Sequence, residues 1–177
     1  MLKGTHQYQI SAPALFRQEW KVSSSQENQA HWIQFNIFTP TLLTDSNRNP
    51  MGKIYCPKIL TLKKNIDIST KDALVRASWF KTFRSFKVSG VSDIKGFESI
   101  EWIWRRQGMN SGLILEDKQT GRCIAEFDRH RFSVGTIGDI FIFEDLPSEL
   151  NWLIVFSACY SHRGIKREER SRGGGGP

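Results

Sequence analysis

The sequence predicts a mainly β fold, a closed antiparallel β-barrel of roughly ten to twelve strands around one buried hydrophobic C-terminal helix, and three observations predict it. Short runs of alternating apolar and polar residues recur along the chain, separated by Gly, Pro, Asn and Asp, which is the pattern of half-buried strands joined by tight turns. Six Trp and twelve Phe are carried at a mean hydropathy of -0.40, so large side chains are interleaved with polar ones, as in sheets and unlike disordered chains. Residues 150–160 read Leu-Asn-Trp-Leu-Ile-Val-Phe-Ser-Ala-Cys-Tyr, broken only by Asn151 and Ser157. A helix apolar on nearly every face has no solvent side and must be enclosed. Strands that close on themselves lose their edges, and the helix fills the interior they surround. At 177 residues one domain can bury such a core without disulfides or metals.

Taken in order, residues 8–11 and 19–23 are short strand candidates divided by Pro13 and followed by the polar run 23–29, so residues 1–29 read as a lead-in with edge strands. Over 32–39 the alternation is clean, with Ile33, Phe35 and Ile37 on one face and Trp32, Gln34, Asn36 and Phe38 on the other. Leu42 and Leu43 lead into Asp-Ser-Asn-Arg-Asn-Pro-Met-Gly, a reversal that starts a hairpin to 53–55. A further strand is expected at 59–62, and 63–71 reads as a polar, basic connection with an exposed tip. Residues 73–80 and 83–88 alternate again, with Val75, Ala77 and Trp79 on one face and Gly90 and Gly96 as punctuation. In 99–105, Ile100, Trp102 and Trp104 share a face, and 108–112 is the next break. Segments 113–116 and 123–127 flank Asp-Lys-Gln-Thr-Gly-Arg, a hairpin in which Gly121 supplies the positive φ. Strands at 132–134 and 137–143 precede the helix.

The helix is expected over 147–163, with Pro147 in its first turn, Glu149 at the positive end of the dipole, and His162, Arg163 and Gly164 as a stop. Its uninterrupted apolar part falls short of the about 20 residues of a membrane span, so enclosure by protein is the reading and a membrane anchor the alternative. The barrel domain then covers 30–163, and 164–177, with Lys166, Arg167, Glu168, Glu169, Arg170, Arg172 and a terminal Gly-Gly-Gly-Gly-Pro, is a charged flexible tail.

Net charge is +7, from 25 Lys and Arg against 18 Asp and Glu. Such a balance favours anionic partners, phospholipid headgroups or nucleic acid, or else serves solubility alone. The lipid-binding candidates are Lys53, Lys58, Lys63 and Lys64 before the central strands, Arg105 and Arg106 after the Trp pair, and Arg129 and Arg131 beside His130. Each basic residue near an anionic membrane contributes about 1 kcal/mol, so three or four that converge hold a protein there. The competing reading of every cluster is a solvated strand face or loop tip.

Nucleic acid is a weaker fit, because Trp102 and Trp104 lie on the Ile100 face, where core is expected, and a single Arg-Gly-Gly at 172–174 makes no binding tail. Cys123 and His130 are the one pair imaginable as nucleophile and base, yet the residues between them read as strand and turn and no third group orients them; no enzyme is expected. His6, His31, His130 and His162 are scattered without metal-ligand spacing, and no metal or cofactor is expected. Cys56, Cys123 and Cys159 are odd in number and far apart, the N-terminus lacks an apolar leader, and no Asn-X-Ser/Thr occurs. The expectation is a reduced, cytoplasmic monomer without a transmembrane segment, at most peripheral to a membrane. A protein-interaction scaffold is the alternative function.

The Ala-Ser-Trp strand end at 77–79, Trp102-Ile-Trp-Arg-Arg, Leu113-Ile-Leu-Glu-Asp, Gly121-Arg-Cys-Ile-Ala-Glu-Phe, Ile140-Phe-Ile-Phe, Leu146-Pro and the apolar helix stand in one order along residues 30–163. In that order the chain resembles the tubby C-terminal-like superfamily, in particular small fungal proteins of unknown function related to the LURP-one and phospholipid scramblase barrels. The resemblance implies a closed barrel of about twelve antiparallel strands threaded by the terminal helix. It also implies membrane association, since tubby proteins bind phosphoinositides. No tubby phosphoinositide motif matches here residue by residue, and a charged segment follows the helix where a scramblase has its transmembrane C-terminus.

Overall fold

The computed structural model describes residues 5–12, 18–26, 28–36, 39–57, 62–108, 112–130 and 135–173. Twelve strands precede one helix: β1 (His6–Ser11), β2 (Glu19–Ser24), β3 (Ala30–Gln34), β4 (Thr41–Thr44), β5 (Pro50–Tyr55), β6 (Lys63–Ser69), β7 (Leu74–Lys81), β8 (Ser85–Ser92), β9 (Ser99–Gln107), β10 (Gly112–Asp117), β11 (Cys123–Arg129), β12 (Thr136–Ile142) and α1 (Ser148–Gly173). Each strand pairs antiparallel with its neighbours in sequence, and β1 pairs with β12, so the sheet is a closed barrel and has no edge.

Alternation sorts the side chains. Ile10, Val22, Ile33, Leu43, Ile66, Ile68, Val75, Val88, Trp104, Leu113, Leu115, Phe127 and Ile140 point inward and are fully buried. Against them pack Leu150, Leu153, Ile154, Val155, Phe156, Ala158 and Cys159 of α1, equally buried, so the helix is the centre of the core. Outward positions such as Lys53, Arg76, Lys87 and Asp128 are exposed and charged, an apolar-in, polar-out arrangement opposite to that of barrels that span membranes. Where the wall comes closest to itself there is no room for a side chain. A Cβ on Gly90 would lie 2.3 Å from the Arg76 carbonyl oxygen, and one on Gly138 2.2 Å from that of Asp128. Gly121 has a φ of 69°, as its turn requires.

The structure corrects several sequence expectations. Residues 63–71 contain a strand, β6, because Ile66 and Ile68 alternate with Asn65 and Asp67; two buried isoleucines suffice when β5 and β7 complete the ladder on both sides. β1 and β2 are staves of the closed wall, since β1 joins β12 to β2. β3 ends at Gln34; Phe35 leaves the regular ladder yet is buried, its amide donating to the Gln18 carbonyl. Residues 37–38, most of the 59–62 candidate, and all of the 132–134 candidate lie outside the described residues. Leu62, the last of the 59–62 segment, is not in a strand.

The largest correction concerns the helix. Gly164 does not stop it: α1 continues to Gly173, and Ile165 is buried. Gly164 passes close to the Phe86 ring, and the expected tail from 164 to 173 is the last third of the helix.

Candidate functional site: the basic end of the barrel

Antiparallel pairing with sequence neighbours puts alternate turns at opposite ends of a barrel. The connections β1–β2, β3–β4, β5–β6, β7–β8, β9–β10 and β11–β12 therefore share one end, and α1 emerges there, because Glu168 on its last turns pairs with Lys81 at the end of β7 and with Arg106 at the end of β9. Glu169 takes Arg129, at the end of β11, at 3.1 Å. At the other end the helix begins, where buried Glu149 accepts a hydrogen bond from the Thr70 hydroxyl.

The candidates named from sequence divide along this axis. Lys63 and Lys64 open β6, Arg105 and Arg106 close β9, and Arg129 closes β11, so all five meet at the end where the helix emerges. Lys53 does not join them: it sits along β5, 3.5 Å from Asp67 and over the Tyr55 ring. Lys58 and Arg131 lie outside the described residues.

Sequence reasoning missed most of the charge at this end. Arg163, Lys166, Arg167 and Arg170 follow the i, i+3, i+4, i+7 spacing of one helical face. That spacing was the available signal, and it was hidden by reading Gly164 as a terminator. Arg163, Lys166, Arg167 and Arg170 line a pocket of about 440 Å³ with Gln18, Trp20 and Ile137. On the other side of the helix Arg163 and Arg167, with Lys64, Lys81, Leu62 and Tyr160, line a second pocket of about 380 Å³. A third, about 560 Å³, lies between Phe83, Arg84, Ser85, Arg105 and Arg106.

Burial, followed by repulsion from Arg167, holds the Arg163 guanidinium below its ordinary range, and burial, then Arg129 and Arg170, does the same to Lys166. Arg163 is stacked over the Phe35 ring at 4.2 Å. Two large apolar side chains stand out among these cations: Phe83, 83% exposed in the β7–β8 turn, and Leu62, 71% exposed just before β6. Arg84 lies over the Phe83 ring at 5.6 Å.

Below the site, inside the barrel, His162 is fully buried between the rings of Trp20 and Phe127. Neither ring nitrogen has a hydrogen-bond partner among the described residues. Burial, with Lys166 and Arg129 nearby, pushes its pKa down to about 3, so the ring is neutral.

The remaining sequence candidates are placed as follows. Trp102 and Trp104 are buried core. Cys123 opens β11 while His130 follows its end and pairs with Asp139 at 2.9 Å. Six residues of strand lie between them and set the two roughly 23 Å apart, so they cannot act as nucleophile and base. Among the described residues no group of His, Cys, Asp and Glu is arranged to hold a metal ion, and no helix is long and apolar enough to cross a membrane.

No family model, curated protein or solved structure matches the chain.

Proposed function

We propose that the chain is a non-enzymatic, tubby-like module of the cytoplasm that binds an anionic phospholipid surface peripherally through the end of the barrel from which α1 emerges. One observation carries this reading: Phe83 and Leu62 project from the same end that gathers Lys63, Lys64, Lys81, Arg84, Arg105, Arg106 and the cations of α1. Exposed apolar side chains among cations suit a bilayer surface, where the apolar group enters the headgroup boundary and the charges stay with the phosphates. At about 1 kcal/mol per basic residue close to the membrane, this end is sufficient for reversible attachment.

Sedimentation with vesicles tests it. The protein is expected to pellet with phosphatidylcholine vesicles that contain phosphatidylserine or phosphoinositide, to stay in solution with phosphatidylcholine alone, and to retain part of its binding at physiological salt. Equal recovery with neutral and anionic vesicles, or none with either, overturns the proposal. In the latter case the protein-scaffold alternative takes its place.

A further inference from the structure

We infer that the pocket between α1 and the β1–β2 wall is a site for a phosphate monoester dianion, held by Arg163, Lys166, Arg167 and Arg170. This deepens the membrane reading when the monoester belongs to a lipid and is independent of it when the monoester is a free solute.

The argument starts from charge. Among the described residues, none of these four cations has a carboxylate within ion-pair distance, whereas Lys81, Arg106 and Arg129 on the rim beside them all do. The helix supplies two acids in the same stretch, Glu168 and Glu169, and both are turned to the barrel rim. What remains is a cationic face of α1 whose members repel one another: Arg167 and Arg170 act on Arg163, and Arg129 and Arg170 act on Lys166 more strongly than Glu169 offsets them. Like charges gathered in a part-buried cleft are costly unless an anion joins them.

The negative end of a helix dipole is the competing reason for such residues. It acts over the last turn, and Arg163 lies more than two turns before Gly173, packed on a buried Phe35. Its guanidinium is therefore positioned before any ligand arrives, which reduces the ordering cost of binding.

The shape of the pocket sets the chemistry. Arginine forks match phosphate oxygens in pairs, and three of the four cations are arginines. A dianion accounts for the number of charges better than the single charge of a diester. The wall opposite the helix is apolar, formed by Trp20 and Ile137 with the Gln18 amide at its edge, and at about 440 Å³ the pocket has room for a small organic group beyond the phosphate.

Two soluble probes and two vesicles test the inference. Glycerol 3-phosphate is the monoester and dimethyl phosphate the diester, each titrated calorimetrically. Phosphatidylcholine vesicles carry either phosphatidic acid, a monoester lipid, or phosphatidylglycerol, a diester lipid. The expected result is at least tenfold tighter binding of the monoester in one pair or both, reduced tenfold or more in the Lys166→Gln/Arg170→Gln double variant and unchanged by Lys95→Gln at the opposite end. Preference in the soluble pair alone assigns a free phosphate ester, and preference in the vesicle pair assigns a lipid headgroup. Equal binding of monoester and diester in both pairs, or full binding by the double variant, overturns the inference. Lys166 and Arg170 are not core residues, and an unchanged thermal transition verifies that the variant is folded.

The membrane reading fails separately. Phosphatidylglycerol vesicles that bind as well as phosphatidic acid vesicles, with no preference in the soluble pair, leave that reading intact and remove the pocket, while glycerol 3-phosphate binding in preference to dimethyl phosphate without any vesicle binding does the reverse.

Discussion

The indole nitrogen of Trp104 donates to Ser157 Oγ at 2.9 Å in the closed interior, and Trp79 makes the same bond, at the same length, to Ser161 one helical turn on. Two tryptophans of the wall thus engage two hydroxyls on one face of α1, and the spacing of the serines sets how far the helix is inserted and how it is rotated. In a largely apolar interior, a buried N–H without a partner is expensive, so other insertions of the helix are disfavoured. Ser157→Ala should therefore lower stability by about 1–3 kcal/mol. The Trp104→Phe/Ser157→Ala pair should lose less than the sum of the single changes. Urea denaturation of the three variants measures both quantities.

Phe156 lies at the centre of the barrel, with a Cβ placed on Gly52 only 3.5 Å from its ring. Phe156→Asp should abolish cooperative folding, because an unpaired carboxylate there costs several kcal/mol, comparable with the whole stability of a domain. Soluble expression with a sharp thermal transition would contradict the enclosed-helix architecture.

Ile165 distinguishes a helix from a tail. It is buried beyond the glycine that sequence reading took as the stop, so Ile165→Ala should cost about 2–5 kcal/mol. A mobile segment would give no change in the urea midpoint.

His162 should make stability depend on pH. Its folded pKa, about 3, is below the ordinary value of 6.5, so between those limits the unfolded chain binds the extra proton. Stability is then fully present above about pH 6.5 and falls as the pH drops toward 3, by up to about 1.4 kcal/mol per unit. His162→Leu should flatten the profile between pH 6.5 and 4.5, measured by urea midpoints at a series of pH values; an unaltered slope would show that other groups set it.

Phe83→Ser should weaken binding to anionic vesicles several-fold and leave the thermal transition in place, since the ring is almost wholly in solvent. Loss of about 2 kcal/mol of apolar burial corresponds to roughly a thirtyfold effect if the ring enters the bilayer fully. Undiminished pelleting would place the contact elsewhere on the protein.

The wall was legible where side chains alternate strongly: Val75, Ala77 and Trp79, or Ile100, Trp102 and Trp104, announce both their strands and the face that is buried. It was illegible at β6, where lysines at one end and short polar residues between two isoleucines look like a loop until the neighbouring strands supply the hydrogen bonds. Gly164 misled for a local reason: glycine beside His162 and Arg163 imitates a helix terminus, but here it sits inside the helix near Phe86, where even a Cβ would make an ordinary contact. The same misreading hid half of the candidate site. The convergence of Lys63, Arg105 and Arg129 depends on the closure of the barrel, a relation between residues far apart in sequence that no local pattern encodes.

The helix that fills the lumen follows all twelve strands. While a ribosome is making this protein, the wall is complete before its filling exists, so the inward faces of Ile33, Val75, Trp104 and their neighbours have no partner until α1 has emerged. Folding of the barrel must await α1, and the polypeptide that still lacks it is an open, sticky sheet. Messages that stop early, before Phe156 is added, would yield products that cannot fold at all and are natural clients for chaperones and proteases.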